Sequence, residues 1–321
     1  MADLVSNNRT AAVVVGSLGA AALGAFAFYQ LRQRRLAAQR EALIRSTEEP
    51  LLTAVEQAVA SGSRAEQPSQ QPPPQQLADP LPDSDVALNL ADIRARLAEA
   101  AAAAGRPEAP RLVAVSKTKP IEMLHDAYAA GQRHFGENYV QELVTKAPQM
   151  PADVRWHFIG GLQSNKAKEL VKGAGPGLHM VETVDSAKLA DKLHAAVAGL
   201  EPPRREPLHV LLQVNTSPWE GTKGGVLAAD VPALAAHVRA SCPTLRLAGL
   251  MTIGESGNAA CFDALRECRD ALAAQLGVPS SELTLSMGMS GDFEAATAKG
   301  SDSVRVGSSI FGARNYAAKK K

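Results

Sequence analysis

From residue 86 onward the chain alternates short, β-rich apolar runs with amphipathic helical stretches, and it does so eight times. The predicted strands are 112–116, 134–136, 156–160, 180–184, 210–214, 247–251, 283–287 and 304–307. Parallel strands need helical crossovers, and eight such units can close on themselves, so the pattern predicts an α/β fold of the (β/α)8 TIM barrel class over residues 86–321. A doubly wound open sheet is the alternative. An extra helix, 88–104, precedes the first strand.

A barrel places its chemistry on the loops that follow the C-terminal ends of the strands. The first of these loops carries Ser116-Lys117-Thr118-Lys119-Pro120, the second Glu137-Asn138-Tyr139 and the third Gly160-Gly161-Leu162-Gln163-Ser164-Asn165-Lys166. After strand seven comes Met289-Ser290-Gly291-Asp292, and at strand eight Arg305-Val306-Gly307-Ser308-Ser309. The last two loops combine glycine and serine with a helix starting near Asp292. Their amides, hydroxyls and helix dipole suit an anion, and this is where barrels commonly bind phosphate.

Lys117 changes the weight of that observation. It follows the apolar run Leu112-Val113-Ala114-Val115, so its amine is expected in the barrel mouth, where partial desolvation favours the free base. A neutral amine forms a Schiff base with an aldehyde. Lys119 shares its strand parity but stands farther out, before Pro120. A Schiff-base lysine facing a phosphate site across one mouth is the pair of anchors that pyridoxal 5'-phosphate (PLP) requires.

The remaining composition narrows the class. Lysine plus arginine number 34 and aspartate plus glutamate 33, a net charge of +1, which gives no general attraction toward nucleic acid. Three cysteines cannot form a disulfide framework and suit a reducing compartment. No CxxC or HExxH spacing points to a metal.

The N-terminus is a separate object. Residues 10–31 form an uncharged run of 22 residues, about 33 Å long as a helix and enough to cross a bilayer. Arg32, Arg34, Arg35 and Arg40 follow it, against Arg9 before it. The positive-inside bias therefore predicts a transmembrane anchor over 1–31 with the barrel facing the cytosol, in the manner of signal anchors of organelle outer membranes. An organelle-targeted soluble protein is the alternative. Residues 32–60 read as a polar helix. The stretch 61–85 reads as a disordered linker, because eleven of the sixteen residues from Gln67 to Pro82 are proline or glutamine.

Five motifs in register carry a family resemblance. Ala114-Val115-Ser116-Lys117-Thr118-Lys119-Pro120, Phe135-Gly136-Glu137-Asn138-Tyr139-Val140-Gln141-Glu142 and Trp156-His157-Phe158-Ile159-Gly160 with Leu162-Gln163-Ser164-Asn165-Lys166 are the first three. Leu285-Ser286-Met287-Gly288-Met289-Ser290 and Arg305-Val306-Gly307-Ser308-Ser309-Ile310-Phe311-Gly312 complete them. Together they resemble the pyridoxal phosphate homeostasis proteins. The resemblance implies a barrel like the alanine racemase N-terminal domain, with Lys117 carrying PLP as an internal aldimine. It implies phosphate contacts from Ser290, Gly307 and Ser308, Asn138 near the ring, and Arg305 facing the pyridine nitrogen. A fixed cation there disfavours ring protonation and weakens the electron sink.

The implied function is to hold PLP, limit its free concentration in vitamin B6 homeostasis and supply it to PLP-dependent apoenzymes, without turnover of its own. In support, the chain ends soon after the eighth strand, leaving no second domain to add an acid or base over the site. The alternative is a PLP-dependent amino-acid racemase or related enzyme, with Tyr139 or His157 as the second acid or base; His157, inside an apolar strand, reads rather as a satisfied barrel histidine. The sequence departs from the family pattern in the loop 216–225 and at Thr297, and residues 1–85 have no counterpart in the family's core.

Overall fold

The computed structural model describes residues 84–217, 224–255 and 257–313. Eight strands close a barrel in chain order, and every neighbouring pair is parallel. They are β1 (Arg111–Val115), β2 (His134–Glu137), β3 (Arg155–Phe158), β4 (Leu178–Val184), β5 (Leu208–Gln213), β6 (Leu245–Met251), β7 (Thr284–Met289) and β8 (Ser303–Val306). Closure comes from β1 and β8, paired Arg111 with Ser303 through Ala114 with Val306. The expected barrel is therefore present, and the open sheet is not.

The helices are α1 (Asp85–Ala103), α2 (Ile121–Ala129), α3 (Val140–Lys146), α4 (Ala167–Ala174), α5 (Ala187–Ala198), α6 (Val231–Ser241), α7 (Ala260–Leu276), α8 (Phe293–Ala298) and α9 (Ser308–Phe311). Helix α1 is the expected extra helix and starts slightly earlier than its apolar pattern suggests. Ser84 caps it, its hydroxyl accepting from the Ala87 amide at 3.3 Å. It buries Val86, Leu90, Ile93, Leu97 and Ala101, a helical-period stripe, while Asn89 donates to the Ile310 carbonyl at 3.0 Å and so ties α1 to α9.

One large apolar core fills the layer between strands and helices, with Phe135, Trp156, Phe158 and Phe293 fully buried. Burying each such ring stabilises the fold by about 1.5–3 kcal/mol. The barrel interior is different in kind. Glu182 of β4 and Ser286 of β7, strands that are not neighbours, meet at 2.6 Å, so their hydrogen bond crosses the interior.

Among the described residues no helix is long and apolar enough to cross a membrane. The expected anchor (1–31) and polar helix (32–60) lie outside the described residues, as does the expected linker up to residue 83.

Candidate functional site

The mouth of the barrel holds a cavity of about 310 Å³, lined by Lys117, Lys119, Asn138, Ser290, Arg305, Gly307 and Ser308 together with Val115, Ile159, Ile253, Met289, Gly291 and Gly312. All six residues singled out in the sequence therefore meet around one space. They come from the ends of β1, β2, β7 and β8, as the topology of a parallel barrel dictates.

Lys117 sits where β1 gives way to its loop, and the chain turns sharply just beyond it. Thr118 has φ 62°, a left-handed conformation that costs a residue with a Cβ. Its amide donates to Glu142 Oε2 at 2.7 Å, which helps hold the turn. Glu142 in turn pairs with Lys146 Nζ at 2.9 Å, and the same amine donates to the Ser116 carbonyl at 2.8 Å and to Glu137 Oε1 at 2.7 Å. The Ser116 hydroxyl donates to Glu137 Oε1 at 2.7 Å. A buried ionic cluster thus clamps the residues on either side of Lys117. Burial pushes the Glu137 carboxyl above the ordinary range, opposed by Lys146 and Ser116.

Lys119 is placed differently from Lys117. Its amine donates to three carbonyls at the end of α9, those of Phe311, Gly312 and Ala313, at 2.8, 2.9 and 2.8 Å. Partial burial lowers its pKa. It lines the cavity as a structural tie.

The phosphate-type loops lie side by side. Ser290 Oγ accepts from the Gly307 amide at 3.1 Å, and Gly307 packs so closely on β1 that a Cβ there would stand 3.1 Å from the Val115 carbonyl. Asp292 closes the other loop by accepting from the Met289 amide at 2.6 Å. The Gly160 backbone presses on Asn138, whose carbonyl oxygen would collide with any Cβ at 160. Asn138 Oδ1 is buried and has no hydrogen-bond partner among the described residues, a lone acceptor at a cavity wall that awaits a donor.

Arg305 is buried and anchored from below. One of its nitrogens donates to Ser286 Oγ at 2.5 Å and another to the Thr252 carbonyl at 2.7 Å. Burial lowers its pKa, while Glu182 and Asp292 oppose that shift. Beneath it, burial alone would raise the Glu182 pKa, but the hydrogen bond and charge of His157, with Arg305 and Ser286, hold that carboxyl below the ordinary range.

His157 does not face the cavity. It is buried and bonded through Nδ1 to Glu182 Oε1 at 2.6 Å, as a satisfied barrel histidine should be. Tyr139 is exposed at the start of α3 and does not line the cavity. Sequence reasoning missed Lys146 and Glu182. The usable signal for Glu182 was a carboxylate inside an otherwise apolar β-branched run, Met180 to Val184.

The barrel residues are similar to those of known proteins. The model of the alanine racemase N-terminal domain matches residues 88–315. A pyridoxal phosphate homeostasis protein of Bos taurus is 48% identical over 221 residues, covering 65% of this chain and 79% of that protein. One from Escherichia coli is 43% identical over 244 residues, covering 74% and 100%. Among solved structures, PipY of Synechococcus elongatus with PLP bound superposes with a TM-score of 0.58 at 33% identity, covering 71% of this chain and all of that one.

Proposed function

The chain belongs to the pyridoxal phosphate homeostasis protein family, and from that premise we propose that its barrel mouth holds pyridoxal 5'-phosphate, covalently through Lys117, in the service of vitamin B6 homeostasis. The observation that carries this reading is the meeting of Lys117, Asn138, Ser290, Arg305, Gly307 and Ser308 around one cavity. The residues present fit the group: a lone buried acceptor on Asn138, a glycine- and serine-lined cradle, and a fixed cation opposite a lysine.

When bound, the cofactor supplies an aldehyde that an amine captures reversibly, and a ring able to withdraw electrons. Ser290, Gly307 and Ser308 would hold its phosphate, Asn138 would lie near the ring, and Arg305 would face the ring nitrogen. Because Arg305 is charged and fixed, a second proton beside it is disfavoured. That weakens the ring as an electron sink and supports storage over turnover. Among the described residues the cavity wall presents lysine amines but no histidine, tyrosine, cysteine or carboxylate side chain. Racemisation calls for an acid and a base on opposite faces of one carbon. Delivery of PLP to apoenzymes, and tethering of the barrel to a membrane through residues 10–31 with the barrel on the cytosolic side, complete the proposal.

The test is to load the purified full chain with PLP, reduce it with borohydride and map the modified peptide. The mass increment should fall on Lys117, vanish in Lys117→Ala and persist in Lys119→Met. A label elsewhere, or none at saturating PLP, overturns the assignment. Incubating the loaded protein with L-alanine should yield no D-enantiomer, and its appearance would favour the racemase reading. Alkaline extraction of cell membranes should leave the full chain in the pellet and release a chain lacking residues 1–83. Release of both would sink the tether.

A further inference from the structure

At the end of the barrel opposite the mouth, four histidines stand on four successive strands. His134 opens β2, His179 and His209 are each the second residue of β4 and β5, and His157 lies within β3. Neighbouring rings are in contact: His134 and His157 at 5.1 Å between centroids, His157 and His179 at 5.3 Å, His179 and His209 at 5.3 Å. None of the four lines the mouth cavity, and His157 reaches Arg305 only through Glu182.

We propose that His134, His157 and His179 form a binding site for a divalent transition-metal ion of the zinc class. One ring nitrogen from each lies within 4.8 Å of the other two, and His134 Nδ1 is 2.9 Å from His157 Nε2. A tetrahedral zinc ion with bonds of about 2.0–2.1 Å needs its nitrogens only about 3.3 Å apart, which small rotations of the His134 and His179 rings supply. His157 Nδ1 is bonded to Glu182 at 2.6 Å, which leaves Nε2 as the ring nitrogen facing the cluster. This is the carboxylate–histidine–metal arrangement that orients ligating imidazoles.

The surroundings select the ion. His134 and His179 are half-buried at the rim of the cluster and His157 is fully buried behind them, so the three rings present imidazole nitrogens and no oxygen ligand. Arg111 and Arg155 are close enough to oppose a cation. A hard ion such as Mg²⁺, which wants oxygen ligands, gains nothing here to offset that repulsion. An ion with a strong preference for imidazole does. The buried Glu182 carboxylate supplies compensating charge behind His157. Entry is open through a basal cavity of about 710 Å³ lined by Arg155, His179, Arg204 and His209 among others.

The test uses the full chain stripped with a chelator and titrated with Zn²⁺ by calorimetry and with Co²⁺ by visible absorbance. One ion per chain should bind, and Mg²⁺ should not compete. His134→Gln and His179→Gln, both at half-buried positions, should each weaken binding about 10-fold to 100-fold while the far-ultraviolet circular dichroism of the metal-free protein stays unchanged. His237→Gln, which disrupts a second potential ligand set of Asp191, His237 and Cys242, should have no effect. Absence of saturable binding, binding that survives both basal variants, or loss confined to His237→Gln would each overturn the proposal.

Discussion

Arg305 and Glu182 form a buried pair bridged by a hydroxyl. The guanidinium NH1 stands 3.9 Å from Glu182 Oε2, and Ser286 Oγ lies between them, donating to the carboxylate at 2.6 Å and accepting from the arginine at 2.5 Å. The cation at the mouth is therefore positioned by an anion that never reaches the cavity. Glu182→Gln removes that anion and leaves a buried guanidinium without its countercharge, which typically costs about 3–5 kcal/mol. Urea unfolding of the cofactor-free protein should show a loss of that order. A change below about 1 kcal/mol would mean that the hydroxyl and the Thr252 carbonyl suffice to hold Arg305.

The legibility of this site in the sequence divides along physical lines. Each of the eight predicted strands overlaps an observed one, because buried parallel strands read as apolar runs wherever they are placed. At β1 and β3 the observed strand begins one residue earlier than expected, at Arg111 and Arg155, exposed charged residues that carry no apolar signal. Residues that line the mouth were readable because strand ends and loop positions are local facts. Lys146 reads as a solvated charge on an amphipathic helix, and Glu182, although it stands inside an apolar run, gives no sign of which distant residue it meets. Lys146 meets Glu137 when its helix folds back on β2, and only closure brings Glu182 against Ser286 of a distant strand.

Lys119 holds down the end of α9, so its removal should loosen that turn without touching covalent capture. Its three carbonyl partners are partly solvated, and water will satisfy some of them. Lys119→Met should therefore destabilise the protein by only about 1 kcal/mol, read as a lowered urea midpoint at constant slope. Hydrogen exchange should speed up at the amides of Ile310, Phe311 and Gly312. Unchanged exchange there would remove Lys119 from its tying role.

The Cys242 and Cys268 thiols should be inert at ordinary pH. Burial raises the Cys268 pKa to about 11 and also raises that of Cys242. At pH 8 a free thiol of pKa about 8.5 is roughly a quarter thiolate, whereas Cys268 is on the order of 0.1% thiolate. Raising the pH moves Cys268 toward its reactive form, so its rate with a disulfide reagent should climb about tenfold per unit up to pH 11. At pH 8 it should be on the order of 100-fold slower than in the unfolded chain. Rapid labelling of Cys268 in the native protein, located by peptide mapping, would show that its helix opens locally.

Gly160 is fixed by the backbone it presses against, not by its own dihedral angles. A methyl group there would collide with the carbonyl oxygen and Cα of Asn138, which are main-chain atoms and cannot swing aside. Gly160→Ala must therefore push the loop after β2 away from β3, at about 1–3 kcal/mol of overpacking strain. Because Asn138 also carries the lone buried acceptor at the cavity wall, the same displacement should weaken PLP capture. Gly161→Ala, whose added carbon meets nothing within 4 Å, is the matched control and should leave both properties near wild type. Equal behaviour of the two variants in thermal melts and in PLP titration would show that the contact between Gly160 and Asn138 does not position the site.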